Sequence, residues 1–494
     1  MNPKKIILPL LITILISGCI SNNSASTLVP IASSNTPQIL PEYTPLPTRP
    51  QYSPGELVSY TAQTGDTLPV LAKHFNSSVD EILRANPIIP DSATTMPAGL
   101  PMEIPIYYRN FWGSAYQIIP DSEYVNGPAV VDFDTQAFIE QFPGWLLGYS
   151  EFAEGGTLSA AEVINRISLN YSISPKVLIA LIEYQSGGLS SAVQLPSEAL
   201  YPLGNQDPLR RGLYLQLSWA ANHLNNGYYG WRGGELIEFD RSNGTLDRPD
   251  PWQNAASVAF HILFNELHSG GDYGQAIGPN GIARTYTQLF GNPWDNNEAH
   301  IPGSLTQPGF ILPFSAGDTW SFTGGPHAGW GSGEPLAALD FASPSETVGC
   351  NPTSEFALAI ARGLVVRSET GIVVLDLDED GDERTGWVIF YLHLATVDRA
   401  EVGTILEMGE PIGHPSCEGV TSTGTHAHLA RKYNGEWIRA SGTLAFNMEG
   451  WIPEISSEPY GGTLTRFNQV VTACVCANAA SQITSTGKID FIVP

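Results

Sequence analysis

The sequence is poor in basic residues. Of its 494 residues only 23 are Lys or Arg, against 49 Asp or Glu, so the formal net charge is −26. A chain this acidic is repelled by nucleic-acid phosphates and by anionic lipid headgroups, which excludes electrostatic binding to either. Charged residues of both signs make up only 15% of the chain, which excludes a coiled coil or a charged helical array.

Long hydrophobic runs are also lacking. No internal stretch reaches the ~20 apolar residues that a membrane-spanning helix needs. Glycine and proline are abundant instead, at 49 and 38 residues, which favours β-rich domains joined by loops. At roughly one domain per 150 residues, the length predicts about three domains.

The N-terminal residues have the pattern of an export signal. Lys4 and Lys5 precede a short apolar run that ends at Gly18-Cys19. Small residues directly before a cysteine resemble the lipobox of bacterial lipoproteins, in which the cysteine is lipidated and becomes the mature N-terminus. The resemblance implies a signal peptide over 1–18, lipidation of Cys19, and an exported protein anchored to the cell membrane and facing the cell wall. The alternative is an ordinary export signal with an incidental cysteine. Residues 19–55, rich in Ser, Asn, Thr and Pro, are predicted to be a disordered tether.

Cysteine is scarce, with five residues in all. In an exported protein the four that follow Cys19 are expected to form disulfides. Four cysteines allow three pairings, and the sequence alone does not choose among them. We favour Cys350 with Cys417, because both flank the candidate active site described below. A bond between Cys474 and Cys476, which are one residue apart, would be strained.

Residues 56–107 form the first predicted domain, with the order strand, helix, helix, strand. A turn and helix cap at Gly65-Asp66-Thr67 follows the first strand, and Asn86-Pro87 ends the second helix. These motifs and their spacing resemble a LysM domain over its whole length. That family binds the N-acetylglucosamine-containing glycan of peptidoglycan and chitin. The resemblance implies a glycan-binding groove lined by Gly65, Asp66, Thr67, Asn86, Pro87 and Ile88.

A connector over 108–150 leads into a helical domain over 151–300. Its segment from Ser174 to Gly187 resembles the catalytic helix of lysozyme-like lytic transglycosylases, in which a Glu directly precedes a Ser. Here Gln185 precedes that Ser, and a glutamine amide cannot protonate a glycosidic oxygen. Glu183 lies about 200° around the helix and is predicted to be a surface carboxylate. We predict a non-catalytic glycan-binding or spacer domain. The alternative is a transglycosylase that uses a displaced acid such as Glu235 or Glu238.

The last third of the chain carries residues suited to metal chemistry. Short β-branched runs bounded by Gly, Pro or Asp predict an antiparallel β domain over 301–453. In a strand His426 and His428 point to the same face, and two neutral imidazoles side by side are suitable ligands for a zinc ion. Asp340 and His393 lie in apolar segments, where a polar side chain needs a partner.

These residues resemble the motif set of the lysostaphin-like zinc endopeptidases of peptidoglycan. That family shows a ligand His, a ligand Asp followed by Phe-Ala-x-Pro, a Tyr-x-His-Leu strand and a late His-x-His. The resemblance spans about 314–432 and implies zinc as the cofactor, bound by His327, Asp340 and His428. It further implies that His393 and His426 orient or deprotonate the water and stabilise the oxyanion.

One departure concerns spacing. The family usually has its His and Asp four residues apart, whereas Ala328 to Leu339 intervene here. A metal requires only that this loop fold back.

Separately, the segment Asp376 to Asp382 resembles the start of an EF-hand loop but has Trp387 where a bidentate Glu is needed. We predict a charged hairpin turn there, with calcium as the alternative. Residues 454–494 form a polar, β-like C-terminal extension without a catalytic signal.

The expected fold class is multidomain α+β: a small LysM βααβ module, a helical lysozyme-like domain and an antiparallel β metallopeptidase domain. The expected function is a cell-wall-tethered zinc metalloendopeptidase that hydrolyses amide bonds in peptidoglycan stem or cross-bridge peptides. The expected partners are peptidoglycan and, through the lipid anchor, a membrane; no nucleic acid is expected, and the protein is expected to be a monomer. The alternative is a non-catalytic peptidoglycan-binding or regulatory lipoprotein with a silent peptidase fold.

Overall fold

A computed structural model describes residues 51–193, 199–295, 298–344, 349–476 and 478–490. The predicted signal peptide, Cys19 and most of the predicted tether lie outside these residues. All of the described residues belong to one compact unit. Among its helices, none has the length and apolar character required to cross a bilayer.

The first module has the predicted order of elements. Strand β1 (Glu56–Thr61), helices α1 (Leu68–His74) and α2 (Val79–Ala85), and strand β2 (Pro101–Ile106) follow one another, and β1 pairs antiparallel with β2. Ser78 caps α2 by accepting a hydrogen bond from the backbone N–H of Glu81. Alternate strand residues and the inner faces of both helices form a small separate core around Phe75.

The middle of the chain is helical, as predicted. Short helices α3 (Asp121–Tyr124) and α4 (Thr135–Ile139), a hairpin of β3 (Ser150–Ala153) and β4 (Gly156–Ser159), and single 3-10 turns precede the longer helices. Those helices are α5 (Ala160–Tyr171), α6 (Pro175–Ser186), α7 (Leu213–Gly233), α8 (Ala255–Leu267), α9 (Gly270–Ala276) and α10 (Ile282–Phe290). Between α7 and α8 lies a two-residue pairing of β5 (Phe239–Asp240) with β6 (Leu246–Asp247).

A capping box and a close helix–helix contact shape this region. Ser159 and Glu162 form a capping box at the start of α5. Gly227 lets α7 lie against α8, since a Cβ at that position would stand 2.7 Å from the Cα of Ala259.

The last third forms one large antiparallel sheet with small accessory strands. The spatial order of the sheet is β13 (Ile405–Leu406), β10 (Gly363–Glu369), β11 (Gly371–Asp376), β12 (Trp387–Leu394), β15 (Ala427–Tyr433), β8 (Leu336–Ala342), β7 (Thr319–Ala328) and β20 (Gln482–Thr484). Beside it lie β9 (Ala357–Leu358) paired with β14 (Pro411–Gly413), β16 (Glu436–Trp437) on β15, and a three-stranded sheet of β17 (Ile452–Ile455), β18 (Gly462–Arg466) and β19 (Gln469–Thr472).

The two faces of the large sheet pack against different partners. Phe390 and Ala430 lie on the face that joins the core of the helical region. Tyr391 and Leu429, their neighbours in sequence, lie on the opposite face, which has a core of its own. His428 alternates with Leu429, so it belongs to the face that the helices partly cover.

Candidate metal centre

Three adjacent strands each supply one residue of the predicted metal site. His327 lies near the end of β7, Asp340 in β8 and His428 in β15, and His428 is directly opposite Asp340 in the ladder. The residues between His327 and Asp340 complete the β7–β8 hairpin. The long spacing is therefore accommodated by the ladder, which brings both residues to one point.

The ligating atoms of these residues form a nearly equilateral triangle. His327 Nε2 lies 3.3 Å and His428 Nδ1 3.2 Å from Asp340 Oδ1, and the two nitrogens are 3.1 Å apart. All three residues are buried. Zinc held tetrahedrally at 2.0–2.1 Å has ligand atoms about 3.3–3.4 Å apart, so the triangle has the dimensions of three zinc ligands.

The remaining hydrogen bonds set the tautomers of both histidines. His327 Nδ1 lies 2.8 Å from the carbonyl oxygen of Gly325, and His428 Nε2 lies 3.2 Å from that of Gly329. A carbonyl oxygen only accepts, so these two nitrogens carry protons, and in the neutral form of each ring the nitrogen that faces Asp340 carries a lone pair. Oδ1 of Asp340 is buried without a hydrogen-bond donor. With both rings neutral, three electron-pair donors converge on one point, and a bound cation would satisfy all three.

The surroundings of Asp340 and His428 favour the protonation states that a metal ion needs. Burial raises the pKa of the Asp340 carboxyl, but His327 and His426 in their protonated forms outweigh burial, and the pKa lies well below its ordinary value. Burial lowers the pKa of the His327 imidazole, but the Asp340 carboxylate outweighs burial and raises it, so a metal ion would displace a proton from His327. Burial lowers the pKa of the His428 imidazole below its ordinary value. The carboxylate and a neutral His428 are the forms that a metal ion requires.

The two predicted catalytic histidines lie at the rim of the triangle. The ring centroids of His393 and His426 are 4.6 Å apart, and His426 Nε2 lies 3.6 Å from Asp340 Oδ1. His393 Nδ1 donates to the carbonyl oxygen of Glu418 and His426 Nδ1 to that of Gly424, so Nε2 is the nitrogen of each ring that stays available to water or substrate. Burial lowers the pKa of His393 to about 3, which keeps its imidazole neutral.

His393 also has a strained backbone. Its φ is +62°, a conformation that costs a non-glycine residue about 1–3 kcal/mol. Such strain persists where the surrounding structure imposes it, often at functional sites. Here it occurs at the end of β12, where the ring meets His426.

The C-terminal extension reaches the site, which the sequence did not indicate. The centroids of the Tyr460 and His327 rings are 4.5 Å apart. The backbone carbonyl oxygen of Tyr460 accepts a hydrogen bond from the N–H of Gly325 at 2.8 Å. Strand β20 of the same extension pairs with β7, the His327 strand. The segment around Tyr460 has no motif spacing, so no signal in the sequence pointed to this contact.

Both cysteine pairs of the described chain are disulfides. Cys350 and Cys417 are bonded, with Cα atoms 5.7 Å apart, and this is the pairing that the sequence analysis favours. The N–H of Thr425, next to His426, donates to the carbonyl oxygen of Gly349, next to Cys350. The other bond joins Cys474 and Cys476 in spite of the single residue between them.

The residues of the predicted glycan groove contact the protein's own chain in several places. A Cβ at Gly65 would stand 2.8 Å from Cζ of Arg232 in α7. Asp66 is buried, accepts from the Tyr60 hydroxyl at 2.7 Å, and has its pKa raised to about 6 by burial. The Asn86 amide bonds to the carbonyl oxygens of Ile82 and Glu103. Thr67 is half-buried, and Pro87 and Ile88 are exposed.

The carboxylates of the helical domain that are candidates for the catalytic acid of a transglycosylase are paired with backbone N–H groups or with basic side chains. Glu183 accepts from the backbone N–H groups of Leu189 and Ser190, so it caps a turn and is half-buried, whereas the sequence predicts a surface carboxylate. Glu235 pairs with Lys73 and Arg439. Glu238 pairs with Arg248. The Gln185 amide donates to the carbonyl oxygen of Leu203.

The acidic segment from Asp376 to Asp382 connects β11 to β12, as the predicted hairpin turn requires. Carboxylates of Asp376, Asp378 and Asp380 approach within 4.8 Å of one another. Asp376 already accepts from the N–H of Gly381, and exposed acidic groups are common without an ion. Calcium binding stays the alternative prediction for this turn.

A buried His–Asp–His triangle with two further histidines at its rim, on an antiparallel sheet, defines the class of metal-dependent hydrolases. Comparison with known proteins agrees with this class. Residues 117–303 match the sequence profile of a family described as LasA, N-terminal domain. The chain is 27% identical over 302 residues to Protease LasA of Pseudomonas aeruginosa, a match that covers 57% of this chain and 68% of the relative.

Solved structures with detectable similarity include two peptidases. The M23 metalloprotease pseudoalterin, from the deep sea, is 21% identical, and the match covers 34% of this chain and 96% of pseudoalterin with a TM-score of 0.29. The antimicrobial peptidase lysostaphin from Staphylococcus simulans is 17% identical, and the match covers 34% of this chain and 82% of lysostaphin with a TM-score of 0.19.

Proposed function

We propose that this protein is an exported zinc metalloendopeptidase that hydrolyses amide bonds in the peptide part of peptidoglycan. The observation that carries the proposal is the triangle of His327, Asp340 and His428, whose three facing atoms lie 3.1–3.3 Å apart. Nitrogen and carboxylate ligands in this number, with one tetrahedral position left over, suit hydrolytic zinc.

Each polar residue has a role in this proposal. His327, Asp340 and His428 hold the metal. Zinc, when bound, supplies a Lewis acid that activates water near neutral pH and polarises the scissile carbonyl. His393, with a neutral ring and a free Nε2, accepts a proton from the attacking water and passes it to the departing amine. His426 orients the water through Nε2 and, when that nitrogen carries a proton, donates it in a hydrogen bond that stabilises the oxyanion.

The substrate class rests on likeness to known peptidases. Protease LasA is by its name a protease. The motifs around Asp340, His393 and His426 resemble those of enzymes that cleave peptidoglycan peptides. A silent relative would be expected to lack a ligand, whereas five polar residues converge here, which supports an enzyme over a regulatory lipoprotein.

The other parts of the chain are proposed to place the enzyme at the wall. Lipidation of Cys19 would anchor it to the cell membrane, and the LysM-like module would hold glycan through its exposed residues around Pro87 and Ile88. The helical domain would act as a spacer or as a further glycan-binding surface. The absence of a free acid among Glu183, Glu235 and Glu238 supports a non-catalytic role for it.

Digestion of purified sacculi tests the activity. We expect the protein to release free amino groups and no new reducing or anhydro sugar ends. A strong chelator should abolish the release, added zinc should restore it, and the His428→Ala variant should be inactive throughout. Sugar ends that still appear with the chelator and in that variant would show that the helical domain cleaves glycan.

A further inference from the structure

The Cys474–Cys476 disulfide closes a bend of the chain between the two cysteines. The two Cα atoms are 5.0 Å apart. A chain in extended conformation spans about 6.6–7.2 Å over the same two residues. Opening the bond removes this restraint on the distance between the two cysteines. Because the loop it closes is so short, the bond also removes little entropy from the unfolded chain.

The Cys350–Cys417 bond is held differently. Its cysteines are 67 residues apart in sequence. Hydrogen bonds fix the segments on either side: the N–H of Thr425 donates to the carbonyl oxygen of Gly349 at 3.1 Å, and the N–H of Ser416 donates to that of His393 at 2.6 Å. These hydrogen bonds hold each cysteine's segment against a neighbouring segment independently of the S–S bond.

The Cys474–Cys476 bond is accessible and has a polar neighbour. Cys476 is exposed, Cys474 is half-buried, and Val475 between them is 78% exposed. The side-chain amide of Asn478 donates to Sγ of Cys476 at 3.2 Å. A donor to sulfur favours the thiolate over the thiol, so Cys476 is the better leaving group of the two.

We propose that Cys474–Cys476 is a reversible thiol–disulfide exchange site for small thiols, whereas Cys350–Cys417 is structural. The thiolate of a small thiol attacks Sγ of Cys474, the S–S bond breaks, and Cys476 leaves as a thiolate beside Asn478. A second thiol attacks the resulting mixed disulfide, which releases Cys474 and forms the oxidised small thiol. In sum, two thiols lose two electrons and two protons, and the cysteine pair gains them.

The position of the pair connects it to the metal-binding strand. The N–H of Cys474 donates to the carbonyl oxygen of Phe322 in β7, and the N–H of Ala473 donates to that of Gly462, two residues after Tyr460. Opening the bond therefore alters the segment that secures both β7 and the Tyr460 turn.

Differential alkylation of the full chain in graded glutathione buffers, followed by mass mapping, tests the proposal. The reducing strength of each buffer is the square of the reduced glutathione concentration divided by the oxidised glutathione concentration. We expect Cys474 and Cys476 to become reduced, and so labelled, at a value of this quotient at least tenfold lower than the value that reduces Cys350 and Cys417. Opening of both disulfides together, or of Cys350–Cys417 first, would overturn the proposal.

A matched variant tests the role of the amide. Asn478→Asp retains the oxygen that accepts from the N–H of Ala480 but removes the donor to sulfur. We expect it to slow the opening of Cys474–Cys476 by glutathione at least threefold and to leave Cys350–Cys417 unchanged. An unchanged rate would contradict the proposed leaving group. None of these measurements depends on peptidase activity, so they stand apart from a failure of the proposed function.

Discussion

Asp340 is the residue on which the proposed zinc centre depends. A buried carboxylate is costly unless it is paired, and its Oδ1 faces two imidazole nitrogens that carry lone pairs. Without a cation these three acceptors repel one another. The arrangement is thus stable only with a metal ion, or with protons that the metal displaces.

The first prediction separates ligands from catalytic histidines. Replacing Asp340 or His428 with Ala should lose zinc and activity together, because each removes an atom of the triangle. His426→Ala should lose activity, by a factor of about 100 or more, but keep most of the zinc. Zinc content by atomic absorption, beside the rate of amide hydrolysis, measures both. Equal zinc loss in all three variants would overturn this division of roles.

At the scale of elements, the β7–β8 hairpin places two ligands whose spacing in sequence departs from the related family. The tip of the hairpin is held by the helical domain: Asn222 and Asn226 of α7 accept from the N–H groups of Ser332 and Glu334, each at 2.7 Å. Trp330 packs between Tyr171 and Phe390. The helices therefore position the loop that joins His327 to Asp340.

A second prediction concerns the close approach of β7 to β8. A Cβ at Gly324 would stand 2.5 Å from Oδ2 of Asp340. Gly324→Ala should displace the carboxylate and lower zinc occupancy and activity, the latter at least tenfold. Gly271→Ala, where an added Cβ meets nothing within 4 Å, is the matched control and should change neither. Full zinc occupancy in Gly324→Ala would show that the carboxylate does not need this space.

A third prediction concerns the long-range disulfide. Cys350–Cys417 closes a loop across 67 residues, which stabilises the fold by roughly 4 kcal/mol in the chain-entropy model. The Cys350→Ser/Cys417→Ser variant should melt at a lower temperature and lose activity, because the segment before His426 is then less well held. The Cys474→Ser/Cys476→Ser variant, which opens a much shorter loop, should melt close to the wild-type temperature. Similar melting of both variants would contradict the ranking.

At the scale of the whole molecule, Arg232 joins three parts of the chain. Its guanidinium donates to the carbonyl oxygen of Thr64 in the first module, and it pairs with Asp121 at 3.3 Å and with Glu436 of β16 at 2.9 Å. Glu436 also contacts His300 at 2.6 Å and accepts from the Tyr228 hydroxyl at 2.8 Å. Next to this cluster the His74 ring stacks on Trp231, with centroids 3.5 Å apart.

A fourth prediction follows from the charge of Glu436. Burial raises the pKa of its carboxyl, but Arg232 and His300 outweigh burial and lower the pKa from its ordinary 4.5 to about 2. A depressed carboxyl pKa contributes stability above pH 4.5, and that contribution is lost as the pH falls towards 2. Glu436→Gln should therefore lower the free energy of unfolding by about 3 kcal/mol at neutral pH.

Melting curves of the wild type and of Glu436→Gln between pH 7 and pH 2 measure this effect. The difference between the two proteins should shrink as the pH falls below 4.5. Glu454→Gln, at an exposed position, is the control and should match the wild type. A difference that stays constant with pH would show that packing, and not charge, accounts for the loss.

Much of the site could be predicted from the sequence because its signals are local. The alternation of a strand places His426 and His428 on one side, and Asp340 and His393 stand out as polar residues in apolar strands. The order of elements in the first module, the helical middle and the β-rich last third also follow from apolar spacing and from turn residues. Whether the first module binds glycan, and whether Cys19 is lipidated, stay predictions.

Only the tertiary structure decided which distant residues meet. The sequence allowed three cysteine pairings, and the fold formed Cys350–Cys417 and Cys474–Cys476. It also placed Tyr460 on His327 and Arg232 against Gly65. The physical reason is that these contacts depend on strand register and on the docking of one element against another. The residues involved carry no local period, so their meeting is determined by the packing of the whole chain.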